Sequence, residues 1–112
     1  MAEVVINIGY GADEIGNGLK SAFSNISRTS IAKALKHVGY DIVTITGVIN
    51  TTHDTGASTM AEVLKNIGYG ADEIGKGLKS ACINISRTNI AKTLKHEGYG
   101  IDTITRVIIT TH

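Results

Sequence analysis

The chain has 112 residues, a formal net charge of +1, 42% apolar residues and only 4% aromatic ones. That balance excludes a strongly basic or acidic polyelectrolyte and supports the content of one ordinary domain with a core of Ile, Val, Leu and Ala. No apolar run approaches the roughly 20 residues of a membrane span, Cys82 is the single cysteine, and the start Met1-Ala2-Glu3 does not read as a leader, so a cytoplasmic protein is favoured.

Shifted by 59 positions, the sequence overlays itself. Residues 1–53 match residues 60–112 without a gap, with 12 differences. Residues 54–59, Asp-Thr-Gly-Ala-Ser-Thr, read as a polar linker between the copies. A fainter echo lies inside each copy at a shift of 30: Leu64-Lys65-x-x-Gly68-Tyr69-Gly70 recurs as Leu94-Lys95-x-x-Gly98-Tyr99-Gly100. The unit implied is a helix, a Gly-Tyr turn and a second helix. Four such units give an all-α protein of about eight short helices, built as a tandem duplication of a four-helix unit. The two copies are expected to pack as one domain, because about fifty residues alone bury little surface.

In chain order, a first helix ends at Gly9, where a left-handed residue suits a helix stop. Gly11 then caps a second helix. Asp13 and Glu14 lie in its first turn, where the dipole favours acids, and Tyr10 and Ile15 have the spacing of a hydrophobic staple. Gly16 and Gly18 fall inside this helix at a cost of roughly 1 kcal/mol each. Either a neighbour crosses closely there or the helix frays. Ser27 caps the third helix, which carries Ile31 and Leu35 on one face and His37 in its last turn. Gly39 stops it. Asp41 caps the next segment, Ile42–Thr52, which is rich in β-branched residues, as is its counterpart Ile101–Thr111. Apolar residues at Ile45, Val48 and Ile49 favour helix, while β propensity keeps a strand open. In the second copy, Thr59-Met60-Ala61-Glu62 has the spacing of a capping box.

Differences between the copies mark surface positions. Ile6 becomes Lys65, Val38 becomes Glu97, Val43 becomes Asp102 and Gly47 becomes Arg106. Val4, Ile8, Ile15, Leu19, Ile26, Ile31, Leu35, Ile45, Val48 and Ile49 are unchanged and form the expected core. The first copy is therefore the more apolar outside, and Ile6, Phe23, Val38 and Val43 are candidates for a homo-oligomer interface.

Little points to catalysis. The four histidines occupy two repeat positions near helix ends, the paired acids sit at helix starts, and Cys82 replaces Phe23 as an apolar filler. No glycine-rich loop carries a phosphate-binding Lys. The expectation is a non-enzymatic protein without cofactor or metal.

Two resemblances bear on function. The spacing Leu-Lys-x-x-Gly-Tyr-x-x-x-x-Ile-x-x-x-Leu, complete in Leu64–Leu78, resembles short Gly-Tyr helical repeats found in arrays in large bacterial proteins. That likeness implies a helical-repeat fold and no site residues. The turn Ile67-Gly68-Tyr69-Gly70 is similar, more faintly, to the hairpin of helix-hairpin-helix domains, whose backbone amides hold a nucleic-acid phosphate. It would make Gly9, Gly11, Gly68, Gly70, Gly98 and Gly100 phosphate contacts, helped by Arg28 and Arg87. Against it, Asp72 and Glu73 stand where bases are usual. A helix-turn-helix over residues 27–49 fares worse, because the helix that would read bases carries no base in copy one and only Arg106 in copy two. The leading expectation is an interaction or structural module that binds itself or another protein. The alternative is a weak, sequence-independent nucleic-acid binder.

Overall fold

The computed structural model describes residues 11–53, 55–82 and 84–111, and among them are seven α-helices and no strand. They are α1 (Gly11–Ala22), α2 (Arg28–Val38), α3 (Ile42–Thr52), α4 (Ala57–Asn66), α5 (Ala71–Ala81), α6 (Arg87–His96) and α7 (Ile101–Thr111). The all-α expectation holds. The eighth expected helix falls on residues 1–10, outside the described residues, as do Ile6, Gly9 and the expected core positions Val4 and Ile8.

The helices form two layers. α1, α3, α5 and α7 lie side by side in one, and α2, α4 and α6 in the other. Within the first layer neighbours run parallel: a Cβ at Gly77 of α5 would lie 3.2 Å from Thr46 of α3, and one turn further on Asn50 Nδ2 donates to the Ala81 carbonyl. The molecule measures 42 × 28 × 24 Å. Four helices about 8–10 Å apart account for the long axis.

One aliphatic core runs through the stack and across the joint between the copies. Ile31, Leu35, Ile45, Ile49, Met60, Leu64, Ile74, Leu78, Ile90 and Leu94 are fully buried within it. Burial falls toward the ends. Ile15 and Leu19 in α1 are half-buried, whereas their counterparts Ile74 and Leu78 in α5 are fully enclosed. Ile26 is also only half-buried.

The two β-branched segments are helices. Their threonines bond back to the preceding turn, Thr51 to the Gly47 carbonyl at 2.7 Å and Thr110 to the Arg106 carbonyl at 3.0 Å. The hydroxyls are satisfied without leaving the helix, and the apolar stripe decides the conformation. Asp41 starts α3 by accepting from the Thr44 amide at 2.9 Å. Ser27 and Ser86 cap α2 and α6 in the same way, each accepting at 3.1 Å from the amide three residues on.

Two starts differ from expectation. Gly11, expected to cap α1, is itself within that helix. Helix α4 begins at Ala57 after Gly56, a full turn before the Thr59 capping-box position. Nothing between Gly56 and Thr59 breaks a helix, and the earlier start lets Ala57 pack on the core.

Gly16 and Gly75 mark close helix crossings. A Cβ at Gly16 would lie 2.4 Å from Val48 Cγ1 of α3, and a Cβ at Gly75 would lie 2.4 Å from Val107 Cγ1 of α7. Real Cβ atoms do not approach so closely, so glycine sets the spacing of α1 on α3 and of α5 on α7. Gly18 is different: no described atom lies within 4 Å of its Cβ position.

Candidate functional site

The recurrent Leu-Lys-x-x-Gly-Tyr segment ends a helix in each of three places, after α2, α4 and α6. Gly39, Gly68 and Gly98 take left-handed conformations with φ of 113°, 103° and 96°. The amides of Tyr40, Tyr69 and Tyr99 reach back to the carbonyls of Leu35, Leu64 and Leu94 at 3.1–3.2 Å, and each glycine amide bonds a lysine carbonyl at 3.0–3.1 Å. These paired bonds are a Schellman stop. The leucine, the glycine and the tyrosine are thus explained by one local structure.

The lysine has a longer reach. Lys36 Nζ, at the end of α2, donates to the carbonyl of Ile67 at the end of α4 at 2.7 Å, and lies 4.6 Å from the centre of the Tyr69 ring. Lys65, at the end of α4, repeats this on α6: its ammonium donates to the Glu97 carbonyl and lies 5.2 Å from the Tyr99 ring. Each lysine therefore caps the neighbouring helix and covers the neighbouring tyrosine. The opposed partial charge of a helix C-terminus and the negative ring face both favour an ammonium there. Burial and the nearby carboxylates of Glu73 and Asp41 push the Tyr69 hydroxyl pKa up. Tyr40 is buried, and its hydroxyl has no hydrogen-bond partner among the described residues.

These bonds occupy two of the groups that the phosphate-binding expectation named. The amides of Gly68 and Gly98 are engaged in the helix stops. The Gly70 amide donates to Glu73 Oε1 at 3.3 Å, which places a carboxylate at that turn. Gly11 is buried in the first turn of α1, and Gly100 is exposed, its carbonyl accepting from Ile104. Arg28 Nε donates to Thr55 Oγ1 at 2.8 Å, while Arg87 lies exposed at the start of α6. Arg28 belongs to a network around the joint between the copies. In it Thr55 donates to the His53 carbonyl at 2.7 Å, and His53 Nε2 lies 3.1 Å from the Ile26 carbonyl. A carbonyl only accepts, so Nε2 carries the hydrogen.

Of the interface candidates, Phe23 and Val43 are exposed, and Val38 is half-buried against the core. Phe23 follows α1, and Val43 lies in the first turn of α3, so the two stand toward opposite ends of parallel helices. Two larger exposures escaped the comparison of copies: Ile101 at 84% and Ile109 at 73%, both on α7. Their counterparts in α3 are Ile42, which is buried, and Asn50, which is half-buried. The sequence signal was available, since Asn50 is polar and Ile109 is not.

Among the described residues no three or more His, Cys, Asp or Glu side chains converge as a metal site, and no helix is long and apolar enough to cross a membrane. Cys82 is half-buried, and burial raises its thiol pKa. Compared with protein-family models, curated proteins and solved structures, the chain matches none.

Proposed function

We propose that the chain is a non-enzymatic helical-repeat module, a tandem duplication of a four-helix unit, whose role is protein interaction and foremost self-association. The observation that carries this reading is the exposure of large apolar side chains at both ends of the helix stack: Phe23 beside α1, and Ile101 and Ile109 on α7. Exposed apolar groups of this size favour association with a protein surface. The duplication supports it as well, because stacked helical units present the same kind of face at each step. The engaged glycine amides and the carboxylate of Glu73 at the Gly70 turn weigh against phosphate recognition.

Sedimentation velocity over a wide concentration range tests the reading. Mass rising with concentration supports self-association, and a strict monomer throughout removes it. Titration of duplex and single-stranded DNA at low salt tests the alternative. Binding that weakens steeply with added salt would favour the nucleic-acid reading instead.

A further inference from the structure

The contact between α3 and α5 is a template for a contact that the chain leaves unmade at its two ends. In that internal contact, Ile42 and Thr46 of α3 close over Gly77 of α5, at 3.3 and 3.2 Å from its Cβ position. Asn50, one turn further, bonds the Ala81 carbonyl. At the 59-residue shift, the α3 face becomes Ile101, Thr105 and Ile109 of α7, all exposed. The α5 face becomes Gly18 and Ala22 of α1, followed by Phe23 in place of Cys82, and these are also exposed. Both halves of that internal contact are therefore repeated, and exposed among the described residues, one at each end of the stack.

The substitutions at these two faces match each other. Where the internal contact sets Asn50 against the residues around Ala81 and Cys82, the open faces carry Ile109 and Phe23. Transferring the internal geometry puts Ile109 beside Ala22 and Phe23, at the edge of a hollow lined by Ala22, Phe23, Ser24, Asn25, Ile26 and Ser30. Of the four large apolar side chains exposed among the described residues, Phe23, Ile101 and Ile109 lie on the two faces, and Val43 does not.

We infer that the occupant of each open face is a second copy of this chain, with α7 of one copy docking on α1 of the next as α3 docks on α5. This deepens the self-association reading and rests on it. The two surfaces differ, so the contact is heterologous and does not close on itself after one step. It adds copies head to tail into an open series.

Two blocked chains test it. I101K/I109K blocks the α7 end and leaves the α1 end intact, and F23K does the reverse. All three positions are exposed, so both chains should keep the helical circular-dichroism spectrum and melt as the parent does; A22K is a second α1-end variant. The parent should give a series of masses growing with concentration. Each blocked chain alone should be a monomer, and an equal mixture should give a dimer and nothing larger. If the parent associates and the blocked chains associate as well as it does, head-to-tail docking is wrong while self-association stands. If the parent is a monomer throughout, both are wrong. Blocked chains that stay monomeric when mixed would also overturn the docking, because it requires the two intact ends to combine.

Discussion

Lys36 holds the ring of Tyr69 under its ammonium at 4.6 Å, although 32 positions separate them in the chain. With its bond to the Ile67 carbonyl, this side chain fastens α2 to α4. An exposed ammonium over a half-buried ring contributes about 0.5–1 kcal/mol, and the charged hydrogen bond adds to it. K36M should lower the urea-unfolding free energy by about 1–2 kcal/mol. The equivalent K95M should change it little, because no neighbouring turn receives Lys95 among the described residues. Equal effects from the two would show that the cross-helix bonds contribute nothing.

The helix glycines should respond with opposite signs. G75A drives a methyl into Val107 and should destabilise by about 1–3 kcal/mol, while G18A meets no described atom within 4 Å and should stabilise by about 0.5–1 kcal/mol. Thermal melts at low concentration keep association out of the comparison. Adding V107A to G75A should recover part of the loss, because it removes the atom struck.

At Gly68 the backbone itself is the obstacle. Its φ of 103° disfavours any L side chain, so G68A should cost about 1–2 kcal/mol. G70A should cost much less, since Gly70 has an ordinary extended φ of −86° and its nearest non-adjacent atom would be 3.8 Å away. Chemical denaturation of the two variants side by side decides it.

Asp41 gives the fold a dependence on acidity. The Thr44 amide, then the Thr44 hydroxyl, hold its carboxyl below the usual range, with Lys76 helping and slight burial opposing. A lowered folded pKa contributes stability that is complete above the unfolded value of about 4 and disappears as pH falls through the folded value. D41A should cost about 1 kcal/mol at neutral pH. D41N keeps an acceptor for Thr44 but does not titrate there. Its stability should therefore fall less than the parent's between neutral pH and pH 2, measured by denaturation at each pH.

How much of this was legible in the sequence depends on range. Ser27, Asp41 and the Gly-Tyr stops act within five residues, so their roles could be read from spacing alone. The glycine at position 16 announced an anomaly but not its cause, because Val48 reaches it only in the folded stack. Nothing in the spacing marks Lys36 or Lys65 as a cap of a neighbouring helix, since their partners lie on another helix. Comparison of the two copies points to the more apolar copy one and passes over Ile101 and Ile109, whose exposure depends on standing at the edge of a layer.

Among the described residues, every substantial helix-to-helix packing joins elements no more than two apart in order. Nothing in the described structure requires the first and last helices to meet, so assembly of the native state involves only short chain closures. Folding should nucleate at any hairpin and zip outward, and amide hydrogens should exchange slowest in α4 and α5 and fastest toward α1 and α7. A copy seated on α7 would then slow exchange at that edge, tying the kinetics of fraying to the concentration of the protein.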